Sequence, residues 1–248
     1  MRVNIQRLSE PDNKPLAAVY LLFGDELLLI EEACSALRKK ARAEGYSERT
    51  SFVAEPGFDW NELLQTGSSM SLFADKQLIE LRIPTGKPGQ TGSRVLCELV
   101  DNLPEDTLLL VICGPVDRAG QNQKWFKSLD KAGVNAEAKQ LRLDEFPGWI
   151  ANRLRSKGLL ADKESIGVLT YYFEGNLLAA AQEIDLLALN VRQGSSMDAQ
   201  QQLAALQASV SDNSRFSVYS YIDSCLAGDW QRTSRVLDGL KAENESAV

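Results

Sequence analysis

Histidine is absent from this chain of 248 residues. The absence removes the commonest general base, the commonest metal ligand and every nucleophile that a histidine would activate. Most hydrolase mechanisms are therefore excluded. Cysteines are few and widely spaced in apolar contexts, which predicts buried thiols and neither a metal site nor a disulfide framework for Cys34, Cys97, Cys113 and Cys225.

Long hydrophobic runs are missing as well. The longest, such as residues 108–113, have the length of a strand, and the first twenty residues include several charged side chains. Neither a signal peptide nor a membrane span is predicted from such a pattern. We therefore expect a cytoplasmic protein that has no membrane partner.

Acidic side chains outnumber basic ones, with 34 Asp and Glu against 27 Lys and Arg, and the net charge is −7. A chain of this charge is repelled by phosphate backbones unless basic residues cluster on one face. DNA is therefore not expected to be its sole partner. The composition, 44% hydrophobic and 25% charged, is that of an ordinary globular protein with one large domain or two smaller ones.

The first part of the chain alternates short apolar runs with amphipathic segments. Strands are predicted at 17–23, 49–53, 76–83, 107–113 and 136–143, and helices between them at 26–44, 58–65, 93–102 and 120–131. This alternation predicts an α/β fold in which right-handed crossovers build a mostly parallel sheet with helices on both faces.

Only helices are predicted beyond this point, at 143–157, 162–172, 177–191, 198–207, 217–226 and 230–243. We therefore predict an α/β domain over residues 1–143, a helical bundle over 144–211, and the start of a third, helical domain over 212–248. The last two helices cannot bury a core alone, so we expect the chain to stop inside that third domain.

The turn after the first strand tests whether this α/β domain binds nucleotide. Nucleotide-binding folds of this layout carry G-x-x-x-x-G-K-[ST] there, a loop whose backbone amides cradle phosphate. Here Gly24 is followed by Asp25 and Glu26, with no lysine or second glycine. Two carboxylates in this position would repel phosphate. They suit an N-cap and first-turn charges on the next helix.

Two other sequence patterns resemble binding sites but lack residues that such sites require. The glycine-rich stretch 85–93 contains a lysine, but Pro88 follows it where Ser or Thr is required, so a flexible loop is predicted. Glu31 and Glu32 diverge on a helix and have no third ligand in view, so we expect no metal site there.

The segment 68–75 is small and polar except for two adjacent large apolar residues. Leu72 and Phe73 follow Met70 and Ser71 between a predicted helix and a predicted strand. Burying the pair in a partner's pocket would contribute about 3 to 6 kcal/mol. Alternatively, the pair staples the end of the helix into the core. The residues alone favour the staple.

Five segments in fixed order resemble the delta subunit of bacterial DNA polymerase III. They are PLAAVYLLFGDELLLIEEA (15–33), FDWNELLQTGSSMSLFADKQLIELRIP (58–84), WFK (125–127), FPGWI (146–150) and EGNLLAAAQEIDLLAL (174–189). The resemblance implies an AAA+-like architecture: a domain without a functional phosphate loop, then a helical lid, then a helical collar that joins the clamp loader. Relatives continue beyond Val248, so most of the collar would be missing.

The resemblance also implies what the chain binds. In that family the segment matching Met70, Ser71, Leu72 and Phe73 is the clamp-binding element, which favours an anchor over a staple. The implied partners are the sliding clamp (beta subunit), the gamma or tau and delta prime subunits through the collar, and primer-template DNA within the complex. The chain itself would have no catalytic residue, cofactor or metal, although the holoenzyme is a DNA-directed DNA polymerase, a nucleotidyltransferase.

Two alternatives stay open. The chain could be an atypical nucleoside triphosphatase that uses the glycine-rich stretch. It could also bind DNA directly through Arg38, Lys39, Lys40 and Arg42, although such a run is more typical of a solvated helix face.

Overall fold

Six strands form one parallel sheet in the first part of the molecule. The structure, a computed structural model, describes residues 1–9, 14–68, 76–159, 162–173, 175–192 and 218–242. The strands are β1 (Arg2–Asn4), β2 (Val19–Gly24), β3 (Glu48–Val53), β4 (Gln77–Ile83), β5 (Thr107–Cys113) and β6 (Val134–Ala138). They lie in the order β1-β6-β2-β5-β4-β3, and every neighbouring pair is parallel.

Position in the sheet follows from the apolar pattern of each strand. Every residue of β2 and β5 is buried, because helices cover both faces of the central strands. In β3, at one edge, only Phe52 is buried. The helices of this part are α1 (Leu27–Ala43), α2 (Trp60–Ser68), α3 (Gly89–Asp101), α4 (Arg118–Gln121) and α5 (Lys124–Ala132). The predicted α/β class is confirmed.

The chain divides into two compact units, Met1–Gln140 and Leu141–Val248. In the second unit the described elements are all helical: α6 (Phe146–Ser156), α7 (Lys163–Phe173), α8 (Leu177–Arg192), α9 (Val218–Leu226) and α10 (Trp230–Ala242). Phe146 and Trp149 stack with ring centroids 5.9 Å apart and are buried with Ile150 on one face of α6. The helix predicted at 198–207 lies outside the described residues, and the division of this unit into lid and collar stays a prediction.

Several local predictions are wrong. The helix predicted at 120–131 is two helices, because Asn122 caps the first and Gln123 is extended before the second. The last strand ends at Ala138, short of the predicted 143. Strand β1 and a 3-10 helix (Ile5–Leu8) were not predicted, since three residues that pair only with β6 show no apolar run.

The glycine-rich stretch is not simply a flexible loop, because α3 begins at Gly89. A side chain at Gly92 would place its Cβ 2.4 Å from the ring of Trp60, so this glycine allows close helix packing. The cysteine prediction also fails in part. Cys34 and Cys113 are buried, Cys97 is half-buried and Cys225 is exposed.

Within the part of the chain that the structure describes, no helix is both long enough and apolar enough to span a membrane. The same residues contain no group of three or more Cys, Asp or Glu side chains arranged to hold a metal ion.

Candidate functional site

The predicted clamp-binding residues Met70, Ser71, Leu72 and Phe73 lie outside the described residues. The structure does describe both ends of the segment that carries them. It leaves the last residue of α2, Ser68, and enters β4 through Lys76 and Gln77. These flanking residues determine where on the molecule the segment is attached.

Packing against α3 fixes α2 along its length. Near its start, Trp60 meets Phe58 edge to face at 5.1 Å between ring centroids and covers Gly92 of α3. Near its end, Gly67 leaves room for Leu99, because a Cβ there would lie 2.2 Å from the Leu99 Cδ1 atom. Helix α2 is thus a fixed support for the segment that follows it.

The start of β4 is held equally firmly. The Lys76 ammonium donates to the carbonyl of Glu44 at 3.2 Å and lies 5.1 Å from the centroid of the Tyr46 ring. Gln77 is buried, and its side-chain amide donates to the Thr107 hydroxyl at 3.0 Å. The segment 69–75 therefore connects two anchored ends.

The start of β4 lies at the edge of the sheet opposite the turn where a phosphate loop would lie. Because β3 and β4 are parallel neighbours, the chain must return through α2 to the amino-terminal edge of the sheet before β4 begins. The turn after β2 lies at the carboxyl-terminal edge, where ligands of open α/β sheets usually bind. The start of β4, where the chain leaves the predicted binding segment, thus lies at the opposite edge of the sheet from the nucleotide position.

Backbone contacts close the turn at the carboxyl-terminal edge. The amides of Asp25 and Glu26 both donate to the carbonyl of Ala138, at 3.1 and 3.2 Å. At Gly24 the backbone has φ +141°, and a Cβ would lie 2.0 Å from that same carbonyl oxygen. The amides that would meet a phosphate in a nucleotide-binding loop are therefore already engaged within the protein.

The carboxylates of this turn do not cap α1 as predicted. Glu26 occupies the N-cap position, but its side chain makes no capping hydrogen bond, and α1 has no acidic residue in its first turn. Burial raises the pKa of Glu26 above its ordinary value, and the neighbouring charge of Asp25 raises it further. A second anion at this turn would meet the same unfavourable surroundings.

A buried carboxylate organises the face of the sheet under α1. Glu80 in β4 is 1% exposed and accepts two hydrogen bonds from Arg38 of α1, both at 2.8 Å. Arg49 of β3 contacts the same carboxylate, with its Nη2 atom 3.0 Å from Oε2. Burial alone would raise the pKa of Glu80, but the two guanidinium groups outweigh it, and the pKa lies below its ordinary value.

This network corrects the reading of Arg38, Lys39, Lys40 and Arg42 as a continuous solvated basic face. Arg38 points at Glu80 instead of solvent, and it also lies 3.9 Å from Glu31. Glu31 forms a 2.7 Å ion pair with Arg82. Arg38 therefore neutralises carboxylates within the fold, so the cluster offers one cation fewer to DNA than its sequence suggests.

In the second unit, α8 begins without a cationic side chain. Asn176 caps the helix by accepting from the Ala179 amide at 2.9 Å, and Leu177 and Leu178 follow it. The first turn of α8 therefore offers no cation to a nucleotide.

A parallel six-stranded α/β unit followed by a helical unit is the arrangement of an AAA+-like fold. The family model described as DNA polymerase III, delta subunit, matches residues 20–139. The DNA polymerase III subunit delta of Escherichia coli K12 is 31% identical over 248 residues, which cover all of this chain and 71% of that protein. Its counterpart from Haemophilus influenzae Rd is 30% identical over 250 residues, with the same coverage.

A solved structure has the same fold. The DNA clamp loader delta protein of Bacillus subtilis superposes with a TM-score of 0.57 at 17% identity, covering 93% of this chain and 69% of that one. The chain belongs to the family of DNA polymerase III delta subunits, as the resemblance in the sequence predicted.

Proposed function

We propose that this protein is a clamp-loader subunit that binds the ring-shaped sliding clamp through Met70, Ser71, Leu72 and Phe73. The observation that carries the proposal is 31% identity to a delta subunit across the whole chain. The anchored ends of the segment support it, because α2 and the start of β4, which flank the segment, are both held by contacts within the first unit. Preorganised supports of this kind reduce the entropy lost on binding.

The proposed mechanism needs no chemistry from this chain. Leu72 and Phe73 insert into an apolar pocket of the clamp, and binding is stronger to an open ring than to a closed one. A ligand that prefers one conformation shifts the population toward it. The bound subunit therefore holds one interface of the ring open, and ATP bound by other subunits of the loader decides when the binding surface is presented.

We infer that the chain does not itself bind ATP. Two amides of the turn after β2 are taken by the Ala138 carbonyl, and Glu26 and Asp25 add negative charge there. The glycine-rich stretch does not favour the alternative of an atypical nucleoside triphosphatase, because Gly92 accommodates Trp60. Saturable ATP binding to the purified chain would contradict this inference.

The remaining partners follow from the same proposal. The gamma or tau and delta prime subunits would assemble with the chain through its collar, and primer-template DNA would be met within the complex. Polymerase activity would belong to the holoenzyme and to no residue of this chain. We place the protein in the cytoplasm, where DNA replication occurs in bacteria.

The experiment is a titration of the cognate clamp with the 248-residue chain, followed by fluorescence anisotropy of labelled clamp. The double substitution Leu72→Ala with Phe73→Ala should weaken binding by about two to four powers of ten, as the loss of 3 to 6 kcal/mol of apolar burial requires. The matched control is Leu186→Ala with Leu189→Ala, which removes two leucines that are each 53% exposed in the second unit.

We expect the control to bind as the wild type does. Equal weakening by both double variants, with folding intact, would show that the loss is not specific to the proposed segment. Unchanged binding of the Leu72 and Phe73 variant would overturn the assignment of these residues.

A further inference from the structure

A row of lysines on α5 is the least expected charged feature of this acidic protein. Lys124, Lys127 and Lys131, which we call the α5 lysine row, are all exposed. Arg118 of α4 is exposed just before them, and the 14 residues from Arg118 to Lys131 contain four cations and one carboxylate. This region is locally positive in a chain whose net charge is −7.

The geometry of α5 puts the three lysines along one side of a rigid helix. Their spacing of three and then four residues keeps them on the same face. The opposite face carries Trp125, Phe126 and Leu129, all buried in the core of the first unit. The row is therefore displayed from a helix that the core holds in place.

No carboxylate neutralises the row. Among the residues that the structure describes, no Asp or Glu oxygen lies within 4.0 Å of the ammonium group of Lys124, Lys127 or Lys131. The nearby acids have other roles. Asp117 accepts from the Gly120 amide at 2.7 Å, and Asp130 accepts from the Asn135 side chain at 2.9 Å.

Two features of the row are unfavourable for the helix that bears it. Lys124 is the first residue of α5, where a cation opposes the helix dipole, and no acidic residue lies in the first turn. Lys127 and Lys131 are like charges four residues apart, which repel each other. Lys131 lies in the last turn, where a cation suits the helix dipole, so local helix stability accounts for Lys131 but not for Lys124. An anionic partner would relieve the penalty at Lys124 and the repulsion between Lys127 and Lys131.

We infer that the α5 lysine row is a contact surface for the phosphodiester backbone of DNA. Protein partners usually need a desolvated apolar centre, but no large apolar side chain is exposed within residues 118–132, all of which are described. A phosphate backbone needs only cations. From Lys124 to Lys131 the helix rises about 10 Å, which matches about three nucleotides of a strand rising 3.4 Å each.

The α5 lysine row shares no residue with the segment 69–75 or with the basic cluster of α1. The inference adds a DNA contact to the proposed function but does not depend on clamp binding. A subunit that holds an open ring near DNA would gain from a weak, sequence-independent contact. Such a contact guides the strand without fixing its register.

The test is binding of a fluorescein-labelled 20-nucleotide single strand of mixed sequence to the 248-residue chain between 25 and 200 mM salt. Lys124→Gln, Lys127→Gln and Lys131→Gln are combined in one variant. The logarithm of the binding constant falls linearly with the logarithm of the salt concentration, and each phosphate contact contributes about 0.7 to the steepness of that line. Losing three contacts should therefore make the line less steep by about 2. Between 50 and 200 mM salt the wild type should therefore lose about twentyfold more affinity than the variant.

The matched control removes three other exposed cations, Lys14→Gln, Lys39→Gln and Arg42→Gln, and so changes the net charge equally. We expect it to keep most of the wild-type slope, and the α5 variant to keep full clamp binding. A duplex of the same sequence shows which form of the backbone is preferred. The inference is overturned if the wild type does not bind at 25 mM salt, if both triple variants lose slope equally, or if a polyglutamate peptide of equal charge competes as well as DNA.

Discussion

Replacing Glu80 by Gln tests whether the buried carboxylate under α1 holds the first unit together. The substitution keeps the size of the side chain and removes its charge. Arg38 and Arg49 would then lose the anion that accepts hydrogen bonds from both. Because Glu80 is 1% exposed, water cannot take its place.

The expected loss is about 3 kcal/mol in the free energy of unfolding. Removing one partner of a buried ion pair usually costs about 3 to 5 kcal/mol, since the other charge is left uncompensated. We place Glu80→Gln at the lower end because Arg49 is half-exposed and can turn toward water. The matched control is Glu31→Gln, which breaks a pair with Arg82 at the surface and should cost less than about 1 kcal/mol.

Hydrogen exchange across a urea series, read on peptides from β4 and β5, measures the stability of the first unit separately from the second. The pKa of Glu80 is lowered by folding, so its contribution to stability is complete above its ordinary pKa of 4.5. The difference between wild type and Glu80→Gln should be constant from pH 6 to 8 and shrink as the pH falls below 4.5. A difference under 1 kcal/mol at pH 7, or one that grows in acid, would refute the reasoning.

Three further predictions concern close contacts and thiols. Gly24→Ala should destabilise the first unit by about 2 to 4 kcal/mol in urea unfolding, because the new Cβ would meet the Ala138 carbonyl oxygen and φ is positive. Gly92→Ala should cost about 1 to 3 kcal/mol in the same assay, since Trp60 must move from α3. Cys225, the exposed cysteine among the four, should react fastest with a thiol reagent.

Two of these predictions, those for Gly24 and for Cys225, have an internal control. Gly57→Ala adds a Cβ at φ +91° with nothing within 4 Å, so it measures the cost of the backbone conformation alone. If Gly24→Ala costs no more than Gly57→Ala, the contact with Ala138 does not constrain the turn. Burial raises the pKa of Cys34 to about 12 and also raises the pKa of Cys113, so both should react only on unfolding. Fast reaction of either in the folded protein would contradict their burial.

The sequence predicts the sheet well because central parallel strands bury both faces and so appear as continuous apolar runs. The strand at Thr107–Cys113 was predicted at its observed bounds for that reason. Strand β1 gives no such signal, because it is three residues long and pairs only with β6. The split between α4 and α5 depends on the backbone of Asn122 and Gln123, which residue type alone does not determine.

The candidate site was predictable only in part. The missing lysine after Gly24 indicates a lost phosphate loop. The turn is closed by hydrogen bonds to the backbone carbonyl of Ala138, and such backbone contacts cannot be read from residue types. The partner of Arg38 could not be predicted from the sequence either. Its carboxylate Glu80 lies 42 residues away and meets it only across the sheet. The roles of Leu72 and Phe73 came from the family resemblance and stay a prediction.

The central claim is that this subunit holds the clamp open without nucleotide. The most direct measurement places a dye pair across one interface of the cognate clamp ring and follows energy transfer as the 248-residue chain is added without ATP. We expect the efficiency of energy transfer to fall as the wild type binds, because the two dyes move apart when the interface opens. With the Leu72→Ala and Phe73→Ala variant the efficiency should stay unchanged. Saturating binding by the wild type with no change in transfer would contradict the account.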